Sequence, residues 1–355
     1  MRGQSVNMDG RVALEIQQAK PIQAMISSIV NQSCEGTKVR TLVSGGSGFI
    51  GSHLCKRLID DGHEVICVDN LVTGHKRNIQ ALEGIPAFRF VMHDVIQPLP
   101  ELGQIDAIFH LASPASPPGY FRIPLETALV NSQGSHNLLE VARKNGARYL
   151  VASTSETYGD PLVHPQPETY WGNVNPNGMR SCYDESKRFS EALAFIYWRQ
   201  FDVDARIIRI FNCYGPHSDP IDGRIVPNFI SQALRGEPIT IYGTGSQTRS
   251  LCYISDLVEG IIRAAFRPGT TGNVFNIGNP DERSILEFAE LINALCGSRS
   301  NIVFQPPIST DDPQRRCPDI TKAKAVLDWE PMVDLHQGMM NTITWFRERL
   351  AAPTR

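Results

Sequence analysis

Residues 38–70 read KVRTLVSGGSGFIGSHLCKRLIDDGHEVICVDN, and the order of residue types in this stretch decides the fold. VRTLVSG is a short β-branched run that predicts a buried strand, and HLCKRLIDDG has the apolar spacing of a helix. Between them Gly45, Gly48 and Gly51 stand as GxxGxxG. The first glycine suits a tight turn, the second lets backbone approach a pyrophosphate, and the third permits close helix–strand packing. The N–H groups and dipole at the helix start, where Phe49 and Ile50 begin the first turn, favour the negative charge of a diphosphate. EVICVDN is a second apolar strand. It ends on Asp69, about 20 residues beyond the loop, where a carboxylate can bind a ribose diol, with Asn70 beside it. An acid there repels a 2′-phosphate, so NAD is expected rather than NADP; Arg77, a little downstream, tempers that preference. A turn-rich βαβ unit holding no nucleotide is the plain alternative, and the acid at the right distance argues against it.

Outward from this unit the alternation continues. AFRFVMHDV, AIFHLAS, RYLVASTSE and DARIIRIFNCYGP supply strands, with helical stretches such as NSQGSHNLLEVARKNG between them. Apolar strands alternating with amphipathic helices predict an α/β fold, a Rossmann-type doubly wound parallel sheet covered on both faces. Asp94 ends the third strand segment and is expected at the adenine edge; Leu111 and Ala112, at the end of the fourth, are expected beside the cofactor. After Pro216 the texture changes to a turn-rich loop, the helix VPNFISQALRGE, two short strands in PITIYGTGSQTRSLCYI, the strand NVFNIGN, and the helices SILEFAELINALCG and HQGMMNTITWFRERL. The expected organisation is an NAD-binding domain over 38–212, with return segments from about 250–280, and a smaller C-terminal α/β lobe over 213–355 that binds mainly the substrate.

The 355 residues carry a net charge of −3, with 41% hydrophobic and 20% charged residues, ordinary values for a globular protein. This balance gives no electrostatic reason to expect nucleic acid or an anionic membrane surface. Any anionic ligand must be held by local arginines and backbone dipoles. Eight cysteines (Cys34, Cys55, Cys67, Cys182, Cys213, Cys252, Cys296 and Cys317) contain no CxxC pair and read as reduced thiols of a cytoplasmic protein. Nine histidines show no HExxH or similar ligand spacing, so no metal is expected. No apolar run approaches the ~20 residues that span a bilayer. Residues 1–37, with mild helical character in VALEIQQA and IQAMISSIV, are expected to form a partly ordered extension on the surface rather than a targeting segment.

RSCYDESKRFSEALAFIYW places Tyr183 and Lys187 four apart, on one face of a helix. A phenol with a free pKa of ~10 is a poor base at neutral pH. A neighbouring ammonium and a positive nicotinamide ring favour the phenolate and make it a usable proton acceptor. Tyr-x-x-x-Lys arises often by chance on exposed helices. Here it follows the glycine loop and the strand end STSETYGDP, residues 153–161, and so reads as a catalytic pair.

The glycine loop, the strand-end hydroxyl of Thr154 and the Tyr183/Lys187 pair together resemble the extended short-chain dehydrogenase/reductase superfamily, from Lys38 to about Leu350. Within it, STSETYGDPLVHPQPETYWGNVNPNGMRSCYDESKR, DGRIVPNFISQALRGEPITIYGTGSQTRSLCYISDL, HLASPASPPGY and DDPQRRCPDITKAKAVLDWEP look most like the UDP-glucuronate decarboxylases, the UDP-xylose synthases. The resemblance implies NAD, a UDP-glucuronate substrate, and oxidation at sugar carbon 4 by Tyr183 with Thr154 orienting the oxygen. A 4,6-dehydratase needs two carboxyl groups after that threonine, an Asp-Glu pair in its family, whereas this chain has Ser155 and Glu156. A 4-epimerase usually lacks the glutamate. Ser155 with Glu156 therefore fits decarboxylation best, with Glu156 assisting protonation directly or through a water. A glutamate that merely hydrogen-bonds the following loop is the bland alternative.

By the same resemblance Arg249 holds the diphosphate, and Arg316 lies near the diphosphate or the sugar, closer to the chemistry. Asn212 binds phosphate, and Tyr242 and the IVPNF stretch pack around the base. Arg224 and Pro114 lie in the substrate pocket, and Tyr120 reaches the diphosphate. A homodimer is implied, joined by the helices around Leu138 and Leu193. Three departures from the family pattern stand out: IPLETALVN replaces NPxKTxxTN, His217 replaces an arginine, and Ser186 replaces a glycine. A 4-epimerase or dehydratase of another nucleotide sugar is the enzymatic rival; a non-catalytic NAD-binding sensor is the rival of another class.

Overall fold

The computed structural model describes residues 38–307 and 313–351, so the readings of residues 1–37 and Cys34 lie outside the described residues. VRTLVS forms strand β1 (Arg40–Ser44), whose last four residues are all buried. Strands buried on both faces carry continuous apolar runs rather than alternation, and that pattern marks a central parallel strand. β2 (Glu64–Asp69), β3 (Phe88–Met92), β4 (Ala107–His110), β5 (Arg148–Thr154), β6 (Ala205–Ile210) and β7 (Val274–Ile277) complete one sheet of seven strands. Its order is β7-β6-β5-β4-β1-β2-β3, and every neighbouring pair is parallel. The order reverses between β1 and β4, and the crevice beyond the carboxyl ends of such strands is where ligands bind in open α/β sheets.

Helices α1 (Phe49–Asp60), α2 (Ser135–Asn145), α3 (Ser181–Phe201), α4 (Ile225–Arg235), α5 (Ile254–Phe266), α6 (Ile285–Leu295) and α7 (Leu335–Ala351) surround and extend this sheet. On one face Leu54 and Leu58 of α1 and Leu257 and Ile261 of α5 pack with Phe109, Phe275 and Trp329. On the other, Leu138 and Leu139 of α2 and Ala194 and Tyr197 of α3 pack on Tyr149, Val151 and Ile207. A third core joins Phe229 and Ile230 of α4, Phe288 and Ile292 of α6, and Met339, Ile343 and Phe346 of α7. Each fully buried Leu, Ile or Phe contributes ~1.5–3 kcal/mol. Exposed pairs such as Lys56–Asp60 contribute ~0–1 kcal/mol, so the packed cores hold the molecule.

α5 and β7 come from the second half of the sequence yet complete one face and one edge of the main sheet. Three local details refine the sequence reading. β3 ends at Met92, so Asp94 lies in the turn beyond the strand, where its Oδ1 accepts the Ile96 N–H at 3.0 Å. The stretch entering α2 begins with a wide π-turn over Val130–Gly134. Leu138 is fully buried and Leu193 is partly buried against the same core, while Leu125, Leu129, Phe189 and Ile196 are exposed apolar side chains of that region. No helix among the described residues is long and apolar enough to cross a membrane.

Candidate active site

A cavity of about 750 Å³ opens over the switch point. Its floor is the glycine loop. Gly45 has φ +75°, and a Cβ there would lie 2.6 Å from the Ala112 nitrogen; one on Gly51 would lie 2.1 Å from the Gly45 oxygen. The loop is thus pressed against the end of β4, and α1 against the loop. Gly48 caps α1 with no side-chain hydrogen bond, and no acid sits in the first turn at Phe49 and Ile50. The N–H dipoles of that turn remain available to an anion.

Asp69 is buried at the end of β2, its Oδ2 accepting the Ser47 N–H at 2.9 Å and its Oδ1 the Leu71 N–H at 2.8 Å. Burial pushes this carboxyl above its ordinary range, and the two backbone N–H groups pull against that. Its remaining lone pairs suit a ribose diol. Asn70 donates to Asp94 at 3.1 Å, and both border the cavity with Leu111 and Ala112. Arg77 does not line the cavity; its guanidinium lies in the field of Asp219 and Arg349. Cradle, helix start and ribose acid fit a dinucleotide without a 2′-phosphate.

The Thr154–Ser155–Glu156 trio sits where β5 turns into a 3-10 segment over Ser155–Tyr158. The Thr154 hydroxyl accepts the Glu156 N–H at 3.2 Å and hydrogen-bonds the Tyr183 phenol. Lys187, one turn along α3, donates to the Ala152 carbonyl at 2.8 Å and lies 5.8 Å from the centre of the Tyr183 ring. Burial lowers the Lys187 ammonium to about 7. Burial and the nearby Glu156 charge push the Tyr183 phenol up. These surroundings keep the phenol protonated, and the lysine alone does not activate it.

Glu156 is held on both sides. Arg316 grips it with two hydrogen bonds of 2.7 Å each, and Arg180 donates to Oε2 at 2.5 Å. Burial pushes this carboxyl up, yet the Arg316 and Arg180 charges outweigh it and hold the group at about 2. Held as an anion in this way, Glu156 favours the route through a water over direct donation, the two routes expected for it. Arg316, expected beside the diphosphate or the sugar, is turned onto Glu156. Arg180 was not picked out in the sequence, although it stands three residues before Tyr183 in RSCYDESK. Asp184, one turn further, lies 3.6 Å from it, and burial with the Glu156 charge raises this second carboxyl to about 7.

The other expected residues border the same cavity. Tyr120 stacks on Tyr183 with ring centres 5.2 Å apart and planes 7° apart, and its hydroxyl is buried without a partner. The Asn212 Oδ1 is likewise buried and unpaired. Arg249 donates to the Thr248 carbonyl at 2.9 Å. Arg224 pairs with Asp222 at the start of α4, and Pro114 and the half-exposed Tyr242 complete the wall. Ser186 does not line the cavity; its hydroxyl donates to the Cys182 carbonyl at 2.6 Å and accepts from Asn131 at 3.0 Å. His217, at φ +69°, packs between His53 and Trp345 with its ring tilted by 40° to each.

Elsewhere one group of metal-type donors lies together among the described residues: His164, Glu282 and Cys317. Gln166 accepts the Cys317 N–H through Oε1 and turns its amino group toward His164 Nδ1 at 3.3 Å. That leaves the imidazole proton on Nε2, donating to Glu282 at 2.8 Å. Arg315 supplies a cation 3.7 Å from the same carboxylate. This cluster is arranged as a hydrogen-bond network.

Comparison with known proteins agrees with this geometry. Residues 41–278 match the model of the NAD dependent epimerase/dehydratase family. The chain is 51% identical over 316 residues to UDP-glucuronic acid decarboxylase 1 of Danio rerio, covering 89% of this chain and 74% of that protein. Among solved structures, UDP-glucose 4-epimerase of Thermotoga maritima with UDP-glucose superposes with a TM-score of 0.81 at 32% identity, over 88% of this chain and 99% of that one. UDP-glucuronic acid 4-epimerase of Bacillus cereus, in complex with UDP-glucuronic acid and NAD, gives 0.78 at 27% identity, over 87% and 99%. The chain belongs to the NAD dependent epimerase/dehydratase family and, within it, to the UDP-glucuronic acid decarboxylases.

Proposed function

We propose that this protein is an NAD-dependent carboxy-lyase that converts UDP-glucuronate to UDP-xylose through a 4-keto intermediate. The observation that carries this reading is the pairing of Ser155 with a Glu156 locked as a carboxylate. Dehydration needs a carboxylic acid to protonate a departing hydroxyl, and neither residue can serve. Bound NAD supplies the acceptor for the carbon-4 hydride and returns it at the end. Gly45, Gly48 and the start of α1 hold its diphosphate and Asp69 its ribose.

Tyr183 takes the proton of the sugar 4-hydroxyl while Thr154 holds that oxygen in line. The phenol's high pKa falls once a positive ring and the Lys187 ammonium both face it. The sugar then carries a ketone β to its carboxylate. The C5–C6 bond breaks, carbon dioxide leaves, and the electron pair moves onto the ketone oxygen, held by Tyr183 and Thr154. C5 then takes a proton from a water that the ionised Glu156 orients, the hydroxide left behind being neutralised by solvent, and Tyr183 returns its proton to the carbon-4 oxygen in the final reduction. Arg249, Arg224 and the unpaired oxygens of Asn212 and Tyr120 hold the UDP portion, and Arg316, which also borders the cavity, keeps its grip on Glu156 beside the sugar. Tyr242 and Ile225–Phe229 pack around the base.

Two surface readings accompany this one. The exposed Phe189 lines a groove with Ala128, Ser132 and Cys182, Leu125, Leu129 and Ile196 are exposed on the helical segments that form it, and we assign that face to a homodimer contact. The seven cysteines of the described residues are all free, which favours a reducing, cytoplasmic setting; recovery in a secreted fraction would contradict it.

Incubated with UDP-glucuronate and NAD, the protein should release carbon dioxide and form UDP-xylose by mass spectrometry; UDP-galacturonate with no gas would establish an epimerase instead. Tyr183→Phe should abolish product while still binding NAD in calorimetry. Lys187→Met should lower turnover by roughly 10²–10⁴-fold. It should also raise the thermal midpoint of the cofactor-free protein at pH 6–7. The sign follows from the lysine's fall from 10.5 to about 7 on folding. Between those values the unfolded chain binds more protons, so native stability grows as pH rises through that window, and the slope disappears in the variant. Ile196→Glu should halve the particle mass by light scattering, and an unchanged mass would remove the dimer assignment.

A further inference from the structure

The cofactor end of the cavity lies between two loops that come from opposite halves of the chain. One runs from Asp69 to Asn78. It is short and anchored to the glycine loop: His75 N–H and the Asn78 side chain both donate to the Ser47 carbonyl, each at 3.0 Å. Gly74 lies so near Asp69 that a Cβ there would stand 2.9 Å from the carboxylate. The segment thus ties the ribose acid to His75 as one piece. The other loop, residues 215–224, is rooted where the His53 ring nitrogen bonds the Pro216 carbonyl at 2.9 Å, and it ends at Arg224. Within it Asp219 Oδ1 accepts the Ile221 N–H at 3.1 Å and its carbonyl accepts the Asp222 N–H at 3.0 Å, so the carboxylate is pre-aimed.

His75 and Asp219 both line the cavity, and His75 Nε2 meets Asp219 Oδ2 at 2.6 Å. Among the hydrogen bonds of the described residues this is the one that joins the two loops. No backbone ladder spans the gap. Neighbouring closures are of the same kind: Arg122 reaches the Val72 carbonyl at 3.3 Å, and Gly223 packs on Pro118. A wall held by side chains alone can open without breaking any strand or helix. Burial raises the Asp219 carboxyl, but the hydrogen bonds from His75 and the Ile221 N–H, with the His75 and Arg77 charges, together outweigh it and keep the group below its ordinary range, so it stays an anion facing the imidazole.

We propose that His75 and Asp219 form a latch across the cleft that keeps NAD on the protein from one turnover to the next. This rests on the reading that NAD is the resident cofactor. A reaction that returns its hydride gains nothing from releasing the dinucleotide, and the latch closes directly over the segment that carries the ribose acid. Neither side chain takes part in the chemistry.

The test is the rate of NAD release, measured by loading the protein with NAD, removing the free nucleotide, and following its appearance in an excess of an NAD-consuming dehydrogenase. Asp219→Asn and His75→Ala should each release NAD about 10-fold faster, the effect of losing a hydrogen bond to a charged group. The double variant should release it no faster than either single one, because one bond is lost in all three. Asp219→Asn keeps the shape of the turn, and the unchanged melting temperature of its NAD-free form guards against a folding defect. Release at the unaltered rate in both variants, or rates that multiply in the double variant, would overturn the latch alone. An unaltered protein that binds no NAD would overturn the latch and the cofactor reading together.

Discussion

One buried carboxylate between two guanidinium groups organises this molecule. Glu156 leaves β5, Arg180 precedes α3, and Arg316 belongs to the segment between α6 and α7, so a single ion cluster fastens three distant parts of the chain. Burying charges is costly, and removing one member of such a set leaves an uncompensated ion at ~3–5 kcal/mol. The cluster therefore fixes where the end of β5 points. Thr154 faces Tyr183, and Glu156 stays ionised beside the place where a sugar would sit.

The electrostatic state of that glutamate also limits which reaction the scaffold can carry out. The compared epimerases share the fold, with TM-scores of 0.81 and 0.78. Fold alone does not separate them from a decarboxylase. The local difference from a dehydratase is a serine where that enzyme needs an acid, beside a carboxylate that two arginines hold ionised. Loss of carbon dioxide from a β-keto acid requires no acid for its leaving group, so the site lacks nothing that the reaction needs.

Much of this was legible in the sequence wherever the signal was local. Gly45, Gly48, Gly51 and Asp69 lie within one βαβ unit, and Tyr183 and Lys187 within one helical turn, so spacing alone brings each set together. The environment of Glu156 was not legible, because its partners stand 24 and 160 residues away and only the fold joins them. Arg180 looked like any charged residue ahead of a helix. The phenol's raised pKa was likewise hidden, since burial of Tyr183 and its proximity to Glu156 are tertiary facts. Leu138 showed the reverse difficulty: an amphipathic helix announces an apolar face without saying whether the sheet or a partner covers it.

Direct titration of Glu156 bears on the central claim most closely. With glutamate carboxyls labelled with carbon-13, and Glu156→Gln used to assign the resonance, the ligand-free protein can be followed by NMR as pH falls. The Glu156 signal should remain that of a carboxylate well below the ordinary glutamate value of 4.5. A resonance that titrates at or above that value would mean that the two arginines do not hold the charge, and that an acid is available in the site after all.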